Sequence, residues 1–153
     1  IPFNLAVMVN PDLEYVTCEV RVSDSTTENW IVAKALAGPF IQAIAEKQYT
    51  VLETFMGDKL QGRKYRHPLY DQIPFFKENE KKHPKMHTIV LSTEYVDTSA
   101  GTGLVHCAPG CGPEDYEVGH RNGLPPFNYT NEFGVFEKDF LDIQRSFHFL
   151  QTK

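Results

Sequence analysis

The chain has 153 residues, of which 41% are hydrophobic and 23% charged, enough for one compact domain with an ordinary globular core. Its formal net charge of −5 excludes binding to nucleic acid through overall positive charge, so any contact with RNA must be local. Three cysteines are too few for a disulfide framework and no apolar stretch approaches the ~20 residues of a membrane span, which together favour a cytoplasmic protein.

Most of the chain predicts short strands, some from short apolar runs with β-branched residues and one, at residues 16–22, from apolar and polar residues that alternate with the period of a pleated sheet. Strands are expected at residues 5–9, 16–22, 30–32, 49–55, 87–96 and 102–106. The turn signal NPD at residues 10–12 separates the first two strands, so we expect these two to pair as a hairpin. Residues 127–136 predict a second hairpin near the end of the chain.

Helices are expected at two places. The first covers residues 36–44 and begins or bends at Gly38, which precedes a proline. The second begins at Pro113, has acidic residues in its first turn, and ends before Gly123. The charged residues 77–84 are expected to form an exposed loop. The sum predicts a β-rich α+β fold, a closed or nearly closed barrel with a few flanking helices, as a single domain.

The segment 101–119 concentrates the residues that can carry chemistry. Its sequence, GTGLVHCAPGCGPEDYEVG, predicts a strand that ends at His106, a glycine-rich exposed loop, and a helix with Asp115 in its first turn. Loops that join a strand to a helix are places where proteins commonly bind substrates. The segment is therefore the candidate site.

Three chemistries compete for this segment. A metal site would use His106, Cys107 and Cys111, but neighbouring residues of a strand point to opposite faces, so the first two would diverge. A cysteine nucleophile, Cys107 or Cys111 with His106 as its base, needs a lowered thiol pKa and a base within hydrogen-bond reach, and nothing in the sequence secures that geometry. A pocket for an amine would use the Asp115 carboxylate, whose negative charge the helix N-terminus stabilises, to bind an ammonium group.

In such an amine pocket, His106 would form a wall or hydrogen-bond to a substrate hydroxyl. A purely structural alternative stays open from the residues alone. In that alternative, Asp115 only caps its helix and His106 is a core side chain with satisfied hydrogen bonds.

The same segment resembles a motif of the editing domains inserted in the class I isoleucyl-, valyl- and leucyl-tRNA synthetases, and it is most similar to the isoleucyl version. The opening IPFNLAVMVNPDLEYV and the middle segment MGDKLQGRKYRHPL are also similar to that family, so the resemblance covers nearly the whole chain. It implies hydrolysis of the ester of valine wrongly attached to tRNA(Ile), without cofactor or metal. It implies as partners the valine-bearing 3′ end of tRNA(Ile) and the catalytic core of a parent synthetase, with no membrane.

The resemblance also implies roles for particular residues. Asp115 matches the aspartate that holds the α-amino group of the attached amino acid. His106 matches the histidine at the amino-acid side-chain pocket and the terminal ribose. Further substrate contacts are expected at Asn4, Gly103, Leu104 and Tyr116. The first of these matches an asparagine near the same pocket, and the glycines around His106 would let the terminal adenosine approach the backbone.

Two differences from a complete synthetase matter. The family's threonine-rich editing peptide should lie just before Ile1 and is not in this sequence, and the motifs for amino-acid activation are also absent. We therefore expect an excised piece of a longer protein. One rival is the editing domain of a valyl-tRNA synthetase, which would remove threonine and need a polar contact for its hydroxyl. Another is a non-catalytic tRNA-binding module, which would need a contiguous basic face with exposed aromatic residues.

Overall fold

The computed structural model describes residues 3–128, which fold into two compact units. The first, here called the strand unit, comprises residues 7–63 and 88–106. The second, here called the helical unit, comprises the described residues up to 6, residues 64–87, and those from 107 onward. Each unit has its own hydrophobic core.

Within residues 3–128 the chain forms short strands and a few helices, which confirms the predicted α+β class. The strands are β1 (Ala6–Val9), β2 (Glu14–Arg21), β3 (Thr27–Ala33), β4 (Tyr49–Met56), β5 (Thr88–Leu91) and β6 (Val105–Cys107). The α-helices are α1 (Pro74–Lys82) and α2 (Pro113–Arg121). Shorter helical segments are 3-10 turns at Lys34–Leu36 and Gly57–Leu60 and a π-helix at Gly38–Ile44. None of these helices is long and apolar enough to cross a membrane.

Strand β2 is the centre of the sheet β3-β2-β4 and pairs antiparallel with both neighbours. Its alternation places Val16, Cys18 and Val20 on one face, where they pack with Ile41 of the π-helix. Pairing with β4 shifts by one residue, which leaves Leu52 as the extra residue of a β-bulge. The predicted helix start at Gly38 is confirmed, with Pro39 in the first turn.

The predicted hairpin between β1 and β2 is wrong. Strand β1 lies between β5 and β6 in a second sheet of order β5-β1-β6, whereas β2 pairs with β3 and β4. The physical reason is that β1 is apolar along its length and almost wholly buried, which suits a central strand covered on both faces. The turn at residues 10–12 therefore connects strands of two different sheets and does not close a hairpin.

Two further expectations need correction. The exposed loop expected over residues 77–84 is largely α1, because Pro74 occupies a first helical position and Phe76 anchors the helix in the core of the helical unit. The lysines and glutamates that looked like a loop are good helix formers, and all but the half-buried Glu80 are exposed. Residues 3–128 form two three-stranded sheets and no closed barrel. The hairpin predicted over residues 127–136 falls almost wholly outside the described part of the chain.

Candidate functional site

The loop and helix predicted at residues 101–119 are present. Strand β6 ends at Cys107 and α2 begins at Pro113, so residues 108–112 form the connection. Asp115 lies in the first turn of α2, and the basic residues of the helix lie in its last turn. A methyl group on Gly119 would lie 2.4 Å from Cγ of Pro109, so glycine at this position lets α2 pack directly on the loop.

The Asp115 carboxylate holds this loop in place. Its Oδ2 accepts a hydrogen bond of 2.9 Å from the backbone N–H of Ala108, and its backbone carbonyl accepts a weak one of 3.5 Å from the Cys107 thiol. Asp115 is half-buried. The carboxylate thus has a structural contact, but its partner is a loop amide and not an amide of its own helix, which differs from the capping alternative. The second carboxylate oxygen, Oδ1, lies outside this bond.

His106 lies on β6 in the strand unit and its side chain is exposed, whereas the next residue, Cys107, is fully buried. The two side chains therefore point in different directions, as the strand period requires. The exposure also contradicts the alternative in which His106 is a satisfied core side chain. Among residues 3–128, no group of three or more His, Cys, Asp or Glu side chains is placed to hold a metal ion.

The cysteines of the segment are poor nucleophiles. Burial and the nearby charge of Asp115 raise the pKa of the Cys107 thiol to about 12. Partial desolvation of the sulfur and the charge of Asp115 also raise the pKa of the Cys111 thiol, although the residue as a whole is exposed. Nucleophilic attack needs the thiolate, so the arrangement disfavours a covalent acyl-enzyme at Cys107.

Alkylation tests this conclusion. With a pKa of about 12, only about one part in 10⁴ of Cys107 is thiolate at pH 8, so we expect iodoacetamide to modify exposed Cys111 first and to leave Cys107 and buried Cys18 intact. Peptide mass mapping over time measures the three rates, and the urea-unfolded chain, in which all three thiols should react, is the control. Rapid modification of Cys107 in the folded chain would return the cysteine mechanism to consideration.

Gly103 and Leu104 belong to the core of the strand unit. Gly103 has a left-handed φ of 75°, and an added Cβ would lie 2.4 Å from the Cβ of Ala33. Its carbonyl accepts a hydrogen bond of 2.6 Å from the Tyr15 hydroxyl. Leu104 is half-buried and packs on the cluster that contains Tyr15 and Ala33. Packing against Ala33 therefore explains why residue 103 is a glycine. The expected contact of Gly103 and Leu104 with substrate stays a prediction.

The other two expected contacts, Asn4 and Tyr116, lie in the helical unit with Asp115. Tyr116 is 49% exposed and its ring stacks on that of His120 at 5.9 Å. Asn4 is buried, and its side chain bonds to Tyr65, a residue that the sequence did not single out. The one available signal was that Tyr65 lies inside the segment MGDKLQGRKYRHPL, which already resembled the family.

Comparisons with known proteins agree with this architecture, although no family model matches the chain. It is 40% identical over 136 residues to the isoleucine--tRNA ligase of Thermococcus kodakarensis and 40% identical over 141 residues to that of Aquifex aeolicus, each match covering 89% of this chain. The chain spans only 12% and 14% of the length of these two relatives. The crystal structure of GlLeuRS-CP1 matches with a TM-score of 0.52 at 17% identity, covering 80% of this chain and 45% of that one.

The chain therefore shares the fold of the GlLeuRS-CP1 structure. In sequence the chain is a homologue of one segment of isoleucine--tRNA ligases. The resemblance recognised from the sequence is confirmed.

Proposed function

We propose that this chain is the editing domain of an isoleucine--tRNA ligase and hydrolyses the ester of valine wrongly attached to tRNA(Ile). The observation that carries the proposal is the setting of Asp115. Its carboxylate lies in the first turn of α2, fixed through Oδ2 by the Ala108 amide, with Oδ1 outside that bond. A fixed, half-buried carboxylate is a suitable partner for the α-ammonium group of an aminoacyl ester.

The proposed reaction is direct hydrolysis. A water oxygen attacks the ester carbonyl carbon, the bond between that carbon and the ribose oxygen breaks, and the ribose oxygen takes up a proton, which leaves free valine and deacylated tRNA. An ester is already activated, so a held ammonium group and an aligned water can suffice. The raised pKa of Cys107 supports a mechanism without a covalent acyl-enzyme.

Selectivity would come from size. Isoleucine and valine differ by one methylene, which a hydrophobic pocket distinguishes by only about 1–3 kcal/mol, a limit for which the isoleucyl enzyme itself is the standard example. A second site that excludes the larger side chain by steric clash overcomes this limit. We propose that exposed His106, in β6, supplies that steric boundary and contacts the terminal ribose.

The partners follow from the same proposal: the 3′ end of tRNA(Ile) that carries valine, and the catalytic core of the parent enzyme, both in the cytoplasm. We further propose that residues 1–153 act together as one editing domain. Sequence identity to isoleucine--tRNA ligases supports tRNA(Ile) over tRNA(Val) as the substrate.

The test is deacylation of three substrates by the full-length synthetase that contains this segment. We expect rapid hydrolysis of valyl-tRNA(Ile), and slow hydrolysis of both isoleucyl-tRNA(Ile) and threonyl-tRNA(Val). His106→Ala should narrow the preference for valyl- over isoleucyl-tRNA(Ile) about 10-fold, because the boundary that excludes one methylene is lost. An unchanged preference would remove His106 from selection, and faster hydrolysis of threonyl-tRNA(Val) would favour the valyl alternative. Binding of tRNA without hydrolysis would leave only a tRNA-binding module.

A further inference from the structure

The side-chain amide of Asn4 is held by two hydrogen bonds within the helical unit. Its Nδ2 donates to the Ala6 carbonyl at 2.7 Å, and its Oδ1 accepts from the Tyr65 hydroxyl. Because a backbone carbonyl can only accept, the amide nitrogen has to face Ala6 and the amide oxygen therefore faces Tyr65. This arrangement fixes the orientation of the amide and leaves the second N–H of Nδ2 outside these two bonds.

Tyr65 is itself firmly placed. Its backbone N–H donates to the His87 carbonyl at 3.0 Å, and its ring centroid lies 5.7 Å from that of His87. Burial raises the pKa of the Tyr65 hydroxyl, so the hydroxyl remains a donor at neutral pH. The residue that orients Asn4 is thus anchored independently of Asn4, although the two lie 61 positions apart in sequence.

The backbone beside Asn4 has separate support. The Leu5 carbonyl accepts a hydrogen bond of 2.7 Å from the His87 N–H, and the Leu5 N–H donates one of 2.9 Å to the Cys107 carbonyl. Cys107 precedes Ala108, whose amide the Asp115 carboxylate holds. The segment that carries Asn4 is therefore bonded directly to the end of β6, beside the loop of Asp115, and these backbone bonds do not depend on the Tyr65 hydroxyl.

We propose that Tyr65 is a positioning residue of the editing site, which fixes the Asn4 amide so that its second Nδ2 N–H points at an acceptor oxygen of the aminoacyl ester. The inference rests on the proposed editing function and on Asn4 as a substrate-binding residue. A donor held in one orientation before the substrate arrives stabilises developing negative charge better than one that must reorient. Without the Tyr65 hydroxyl, the amide can turn and lose that alignment.

Tyr65→Phe in the full-length synthetase tests the proposal, because it removes the hydroxyl and keeps the ring. We expect kcat for deacylation of valyl-tRNA(Ile) to fall about 10-fold, with KM changed less than about 2-fold since binding of the tRNA body is untouched. Tyr70→Phe is the matched control. Its hydroxyl donates to Glu80 at 2.7 Å in the same unit, so its removal should leave kcat unchanged.

A double-mutant cycle shows whether Tyr65 acts through Asn4. Asn4→Ala should lower kcat at least as far as Tyr65→Phe, and adding Tyr65→Phe to Asn4→Ala should lower it no further. A second arm is Asn4→Asp, which keeps an oxygen facing Tyr65 but has no N–H, and it should lose kcat as Asn4→Ala does.

Three results would overturn the positioning role. The first is a wild-type kcat in Tyr65→Phe, and the second is a wild-type kcat in Asn4→Asp. The third is that Tyr65→Phe lowers kcat by the same factor in the Asn4→Ala enzyme as in the unsubstituted enzyme. A parent enzyme that does not deacylate valyl-tRNA(Ile) at all would overturn the proposed function itself, a distinct result that the unsubstituted enzyme gives alone. Thermal melting of every variant establishes the folded fraction to which each kcat refers.

Discussion

Asp115→Asn in the full-length synthetase is expected to lower kcat/KM for deacylation of valyl-tRNA(Ile) by about 30–100-fold, which corresponds to the roughly 2–3 kcal/mol of a hydrogen bond to a charged group. The change removes the negative charge but keeps an oxygen that can accept the 2.9 Å bond from the Ala108 amide. The loop should therefore stay in place, and the fall in kcat/KM should measure the effect of the Asp115 charge alone.

Glu114→Gln is the matched control for this variant. Glu114 precedes Asp115 in the same first turn of α2 and carries the same charge, but it is exposed to solvent. We expect its neutralisation to change kcat/KM less than 2-fold, because exposed charges near a site contribute little. Equal losses in the two variants would indicate a general effect of helix charge and would argue against a specific contact with the ammonium group.

Gly103→Ala is expected to lower the free energy of unfolding by about 3–4 kcal/mol. A residue with a side chain costs about 1–2 kcal/mol in the left-handed region, where Gly103 has φ of 75°. Overpacking adds about 1–3 kcal/mol, because the new Cβ would lie 2.4 Å from the Cβ of Ala33. Urea denaturation of the 153-residue chain measures the change.

Gly101→Ala separates the two causes. Gly101 has φ of 77°, but a Cβ there would have no atom within 4 Å, so only the cost of the backbone conformation should appear, about 1–2 kcal/mol. A difference of about 2 kcal/mol between the variants would show that Gly103 is needed for packing. If the two variants are equally stable and only Gly103→Ala loses editing, Gly103 would instead be needed because the absence of a side chain lets the tRNA approach the backbone.

The elements that could be predicted from sequence are those with local signals. Alternation along β2 and the proline at the start of α2 depend on near neighbours, and both elements were located to within a few residues. The pairing of β1 was not predictable in the same way, because its partners β5 and β6 lie far along the chain. Helix α1 was missed because its charged residues dominate the local pattern, whereas its formation depends on burial of Phe76.

The same distinction holds at the candidate site. The place of Asp115 in the first turn of a helix follows from the order of strand, loop and helix in one short segment, whereas the sequence left open whether His106 is exposed or lies in the core. The bond from Ala108 to Asp115 was not predictable, because it depends on how the loop folds back on α2. The contact between Tyr65 and Asn4 joins two distant parts of the chain, and no spacing rule within either part indicates it.

The central claim is that the Asp115 carboxylate binds the α-ammonium group, and one comparison of substrates tests it most directly. The 2-hydroxyisovaleryl ester of tRNA(Ile) has a hydroxyl in place of the amine of valyl-tRNA(Ile) and is otherwise alike. We expect the unsubstituted enzyme to prefer the amine by about 30–100-fold in kcat/KM, the size of one charge-assisted hydrogen bond, and Asp115→Asn to show almost no preference. An equal preference for the amine in both enzymes would contradict the claim.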